Sequence, residues 1–272
     1  MKFYLGPAGA PLGCSTTEEG VKMVAELGLN LMEVEFVQGV RMSEGSALRI
    51  RKVAESSGVK LSCHGPYFIN FNAKEDVKIK RSRQHILETA RIAHALGAYV
   101  IVFHAGYYLG MEKGKVAENI KKELKECVYL MEKSDWDVLL GLETTGKHSA
   151  WGTIDEVAAM SREFKKVVPV IDFAHIYART GGGLRTEEDF GAILKKYDAL
   201  NLKFLHSHFS CIKYSDKGEL KHLTMEESNE PDFSKLAPAL KKRDYDIAIV
   251  SESPALEQDA LRMKKILGIQ AI

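Results

Sequence analysis

Proline and cysteine are scarce in this chain, and neither sign of charge dominates it. Seven prolines scattered over 272 residues leave no proline-rich linker. The four cysteines (Cys14, Cys63, Cys127 and Cys211) lie far apart and form no Cys-x-x-Cys pair, which excludes a disulfide scaffold and a cysteine-based zinc module. Free or buried thiols in a reducing compartment are expected instead. A formal charge of +1 argues against a polyanion-coating protein but is compatible with a local basic rim. No apolar run nears the ~20 residues that span a bilayer. The chain opens on Lys2-Phe3-Tyr4-Leu5 without the basic and apolar segments of a signal peptide, so a cytoplasmic protein with no membrane partner is expected. Gly-x-Ser-x-Gly is absent, and Gly181-Gly182-Gly183 lacks the lysine and hydroxyl residue of a phosphate loop.

What the sequence does have is an alternation repeated eight times. Short apolar runs fall at 2–5, 31–36, 59–63, 99–103, 138–142, 167–171, 202–206 and 246–251. Helical periodicity separates them: Ile86, Ala90, Ala93 and Leu96 form one stripe in 82–96, and Val116, Ile120, Leu124, Cys127 and Met131 another in 115–133. Thr16 to Glu19 supply a cap and early negative charge for the first helix. Strands alternating with such helices imply parallel pairing, and eight units close a (β/α)8 barrel over residues 1–272 as one domain. An open doubly wound sheet would want a glycine-rich first turn, of which Gly6-Pro7-Ala8-Gly9-Ala10 is a poor version. The longest stretch without a periodic signal, 207–232, follows the seventh strand and would overhang the barrel mouth.

Six of the runs stop on a metal-binding side chain: His64, His104, Glu143, Asp172, His206 and Glu252. The C-terminal ends of barrel strands converge on one rim, so these residues would meet there. Clustered ionisable groups are costly to bury unless they pair or hold cations, and mixed imidazole and carboxylate ligands suit zinc, with manganese or iron as alternatives. His175 lies three residues after Asp172, on the same face if a helical turn follows. Glu219 and His222 lie in the long loop, where both could swing over the mouth. His208 points the same way as His206 if the strand continues; a ligand, a donor behind the ligands and a loop residue all remain open for it.

Taken together, these residues resemble the endonuclease IV family of abasic-site nucleases, among the xylose isomerase-like barrels. The matching pieces run in family order from His64-Gly65-Pro66-Tyr67-Phe68-Ile69-Asn70 through Phe103-His104-Ala105-Gly106, Leu142-Glu143-Thr144-Thr145, Ile171-Asp172-Phe173-Ala174-His175 and Leu205-His206 to Ser251-Glu252-Ser253-Pro254. The resemblance implies two or three zinc ions. His64 and His104 would bind the first, with Glu143 bridging to a second completed by Asp172, His206 and Glu252. His175, His222 and Glu219 would hold the third. It implies hydrolysis of the phosphodiester 5′ to an abasic site in damaged duplex DNA, with Glu143 and Glu252 as the catalytic carboxylate ligands. Tyr67, Arg41 and His208 would meet the substrate. The family pattern is broken after strand seven, where His206-Ser207-His208-Phe209 and Glu219-Leu220-Lys221-His222 stand. A sugar isomerase or epimerase of the same barrel class is the alternative, using fewer ligands and one or two metals; a non-catalytic metal-dependent binding protein is a third. No exposed apolar stripe demands a protein partner, so a monomer is expected.

Overall fold

The computed structural model describes residues 1–269. The first half of the chain alternates β1 (Phe3–Pro7), α1 (Thr17–Glu26), β2 (Leu31–Glu35), α2 (Glu44–Ser57), β3 (Lys60–His64), α3 (Asp76–Leu96), β4 (Val100–Phe103) and α4 (Lys113–Lys133). The second half continues with β5 (Leu139–Glu143), α5 (Ile154–Ser161), β6 (Val167–Asp172), α6 (Phe173–Arg179), α7 (Glu187–Asp198) and β7 (Phe204–Phe209). After a hairpin of β8 (Cys211–Ser215) and β9 (Gly218–Leu223) come α8 (Phe233–Lys241), β10 (Asp246–Ser251) and α9 (Glu257–Leu267).

Eight strands pair in parallel in the order β1-β10-β7-β6-β5-β4-β3-β2. The two ends of that sheet meet: Gly9 N donates to Glu33 O at 2.9 Å beside a parallel bridge between Ala8 and Glu33. Asn30 splices the same seam, its backbone N–H donating to Leu5 O (3.1 Å) and its side chain accepting from Leu5 N (2.9 Å). Gly6 is required at this seam, since a Cβ there would lie 1.5 Å from Leu31 O. The result is the expected (β/α)8 barrel.

Local chemistry explains the outer ring. Thr16, Thr153 and Thr186 each close a capping box with an acidic residue three positions on. In α4 the stripe Val116, Ile120, Leu124, Cys127 and Met131 is fully buried, and burial of each larger apolar side chain contributes roughly 1.5–3 kcal/mol. α3 begins at Asp76, six residues before the segment 82–96, because Lys78, Lys80 and Arg81 interleave with Val77 and Ile79 in its first turns and break the helical stripe.

Inside the barrel, alternate residues of each strand stack in layers. Tyr4, Tyr99 and Phe204 close the bottom, with the Lys60 ammonium 5.0–5.6 Å from the three ring centres. Leu31, Val100, Val102, Val170, Ala248 and Val250 fill the apolar interior. The same alternation carries every strand except β1, which runs out through Gly6-Pro7 into Ala8, upward to a polar residue at the rim.

Two expectations are corrected here. Strand seven does not end at His206. It runs on to Phe209 because Ser207 and His208 pair with β10 and β6 and are fully buried, although they read as loop residues. The stretch 207–232 is likewise not unstructured: it holds the end of β7 and the antiparallel β8–β9 hairpin.

Candidate metal centre

β3, β5 and β6 end on His64, Glu143 and Asp172, β7 carries His208 one residue before its end, and His104 and Glu252 follow β4 and β10 directly. Glu143 is the hub. Its Oε2 lies 2.9 Å from His104 Nε2 and 3.3 Å from His64 Nε2, while its Oε1 lies 3.2 Å from His208 Nδ1 and 3.3 Å from His175 Nδ1. His208 Nδ1 also lies 3.1 Å from Glu252 Oε1. Asp172 caps α6 by accepting the His175 backbone N–H at 2.6 Å, and that first helical turn aims the His175 ring at the hub.

The hairpin brings the remaining pair. Glu219 Oε2 lies 3.1 Å from His175 Nε2 and accepts the Gly146 N–H at 3.1 Å. His222 is held through Nδ1 by the Ser210 hydroxyl at 2.6 Å, with its Nε2 3.8 Å from Glu252 Oε2. The hairpin can sit this close because Gly218 (φ +101°) takes a left-handed conformation and a Cβ there would lie 2.1 Å from Gly146 O.

Electrostatics follow from this packing. Burial alone would raise the Glu143 carboxyl, but the charges of His104 and His208, with the imidazoles of His104 and His175 close beside it, outweigh it and hold it well below the ordinary range. Burial likewise pulls His64 down, yet the hydrogen bond to Glu143 and the charges of Glu35, Glu143 and Glu33 push it up to about 10. Burial, reinforced by Glu252 and Glu143, pushes Asp172 well above the usual carboxylate range.

The sequence-predicted residues divide as follows. His64, His104 and Glu143 gather within one ion's reach, and so do Glu143, Asp172, His175 and Glu252, and His175, His222 and Glu252. Glu219 joins through His175. His206 lies one layer below the rim, its Nδ1 taken by the Tyr99 hydroxyl and its Nε2 3.2 Å from Glu33 Oε2, and it gathers within one ion's reach of Glu33 and His208 rather than of Asp172 and Glu252. His208 is paired level with Asp172 and occupies the rim position expected of His206. Tyr67 stands 63% exposed at the mouth with its ring 5.7 Å from that of His64. Arg41 lines a neighbouring cavity of about 370 Å³ beside β2.

Two carboxylates were missed, Glu33 and Glu35. They interrupt the second apolar run as Glu33-Val34-Glu35, and alternation in a barrel strand points both inward, which is the signal that could have found them. Glu33 is wholly buried. Glu35 lines the central cavity of about 580 Å³, and burial pushes its carboxyl up to about 8.

The donor set fits divalent cations. Asp172 Oδ2 is buried without a hydrogen-bond donor, and His104 Nε2 approaches Glu143 without hydrogen-bond alignment. Lone pairs converging without shared protons are what a cation would satisfy. Among the described residues no helix is long and apolar enough to cross a membrane.

The chain is 36% identical to an uncharacterized protein of Methanocaldococcus jannaschii over 269 residues, 97% of each chain. It is 29% identical over 140 residues to an apurinic-apyrimidinic endonuclease of Caenorhabditis elegans, covering 49% of this chain and 34% of that protein. Among solved structures, a D-tagatose 3-epimerase-like protein aligns with TM-score 0.73 at 21% identity over 98% of this chain and 96% of its own. Endonuclease IV of Thermus thermophilus aligns with TM-score 0.73 at 18% identity over 98% of both chains. At these identities the two structures speak for the fold. Residues 21–267 match the family described as xylose isomerase-like TIM barrels, and the chain belongs to that family.

Proposed function

We propose that this protein is a metal-dependent phosphodiester hydrolase that incises damaged duplex DNA 5′ to abasic sites. The observation that carries the reading is the extension of the strand-end ligands, His64 and His104 among them, by His175, Glu219 and His222 into three overlapping groups, more than a one-metal site needs. The similarity to the apurinic-apyrimidinic endonuclease over about half of this chain supports it.

His64 and His104 would hold one ion with Glu143. Glu143, Asp172, His208 and Glu252 would hold a second, and His175, Glu219 and His222 a third. Divalent zinc, or manganese, would supply Lewis acidity and offset the charge of a phosphodiester. Glu143 and Glu252 act in this scheme as ligands, since the Glu143 oxygens already face imidazole nitrogens on both sides. Lys147 and Tyr67 line the cavity mouth and are placed to meet a phosphate and a sugar or base. Arg41, beside the β2 end, would reach a flanking phosphate.

One observation favours a second reading. The three strand-end carboxylates Glu143, Asp172 and Glu252 gather with the single imidazole of His175 within one ion's reach, and His208 Nδ1 lies beside two of them; such a carboxylate-rich set suits one manganese or magnesium ion and a sugar epimerase. The deciding experiment offers purified protein a duplex carrying one tetrahydrofuran abasic analogue, with and without chelator. Chelator-sensitive incision on the 5′ side is the expected result. Intact duplex, together with manganese-dependent epimerisation of a ketose, would replace the nuclease by the epimerase.

A further inference from the structure

Beneath the rim lie Glu33 and His206, which none of the three ion sites proposed above uses, although with His208 they gather within one ion's reach. Glu33, one barrel layer below Glu35, has no solvent exposure. Its Oε2 accepts the Ser62 hydroxyl at 2.7 Å and lies 3.2 Å from His206 Nε2. Its Oε1 lies 3.0 Å from His208 Nε2, off the line of a hydrogen bond and with no aligned donor among the described residues, and the same nitrogen lies 3.3 Å from His206 Nε2. A carboxylate placed this deep is costly unless its neighbours donate to it.

His208 therefore stands between two groups of carboxylates: Glu33 at Nε2, and Glu143 and Glu252 at Nδ1. A neutral imidazole carries one N–H, and whichever nitrogen holds it cannot ligate a metal. We propose that Glu33 is a positioning residue, which accepts the Nε2–H of His208 and thereby turns the Nδ1 lone pair toward Glu143, Glu252 and the cation they would share. The same layer explains why two histidines in one strand divide their roles. His206 has both nitrogens engaged below the rim, by Tyr99 and Glu33, and it braces the carboxylate that orients His208. Outer carboxylates of this kind fix the ring and raise ligand basicity. The inference rests on the metal-centre part of the proposed function and is independent of the substrate.

The test is a long-range imidazole proton–nitrogen NMR spectrum of zinc-loaded, histidine-labelled wild-type protein. Assignment comes from His208→Asn. The expected result is a slowly exchanging N–H on Nε2 of His208, with Nδ1 carrying no proton. An N–H on Nδ1 overturns the inference alone; a protein that binds no zinc overturns the metal reading with it. A second measurement titrates zinc against a competing chelator into Glu33→Gln and Glu33→Leu, with the melting temperature of each metal-free variant recorded alongside. Affinity should fall about 10- to 100-fold in Glu33→Leu and less in Glu33→Gln, which keeps an acceptor. Wild-type zinc affinity in folded Glu33→Leu contradicts the assignment.

Discussion

The two halves of this site are built differently. The half on the strands (His64, Glu143, Asp172 and His208) is at most 3% exposed, each residue locked in the sheet register and shielded by the helical ring. The half on the hairpin is looser: the Glu219 and His222 side chains are 18% and 30% exposed, and both are held by contacts to loops. A barrel strand fixes a ligand through its backbone ladder, whereas a hairpin fixes one only through docking. The strand half should therefore define whether metal binds at all, and the hairpin half how many ions bind and what substrate is accepted.

The contrast can be broken at several points. Glu143→Gln should have the largest effect, removing the hub of the strand half. Tightly held metal should disappear and activity fall on the order of 1000-fold or more, as measured by metal content and single-turnover incision. His208→Ala should come next, with about 10- to 100-fold weaker metal binding in a chelator competition. His206→Ala should separate from it: stability falls by about 1–3 kcal/mol in urea unfolding, since Tyr99 and Glu33 lose a partner, while metal loss is smaller. On the hairpin, His222→Ala or Gly218→Ala should lower the metal content by about one ion and leave the strand-held ions in place. Unchanged stoichiometry and incision in both would remove the hairpin from the centre. Smallest is Tyr67→Ala, which should change stability by no more than about 0.5 kcal/mol and raise only the substrate concentration needed for half-maximal rate.

The pH dependence of the metal-free protein sharpens the same comparison. The folded pKa of His64, pushed up to about 10, lies above its unfolded value of about 6.5. Its stabilisation is thus complete below that lower value and is lost as pH rises through about 10. Glu35, pushed up to about 8, favours its protonated form in the fold and so weakens the fold as pH rises from about 4.5 to 8. Glu143 and Glu252 are held low, so their contribution is present above about 4.5 and lost only in acid. The melting temperature of the metal-free protein should peak near pH 5–6 and decline toward pH 10 in calorimetry. A melting temperature that climbs across that range would show that the buried imidazoles are not held charged by the strand carboxylates.

Much of the barrel was legible because most strands are largely apolar runs and the helices over 82–96 and 115–133 carry clear stripes, so period and length separate them. His64, His104, Glu143, Asp172 and Glu252 were legible because each stops an apolar run at its strand's C-terminal end. The interior polar layer was not. Glu33 and His206 are charged or polar residues inside strands, and a rule that ends strands at polar residues cuts β7 short by three residues. Their burial depends on partners more than a hundred residues apart, His206 with Glu33 and with Tyr99, and no local pattern reports such pairings. The hairpin was hidden for a related reason. Its β8–β9 ladder runs through Lys213, Lys221 and Glu219, which read as a solvated loop.

The central claim is that the strand-end residues form one polynuclear metal centre around Glu143. Its most direct test is metal content by mass spectrometry after zinc loading and removal of free ion, for wild type and Glu143→Gln side by side. The account predicts two to three retained ions per chain in the wild type and none tightly held in the variant. A wild-type chain that retains no ion, or a variant that retains as many as the wild type, would contradict it.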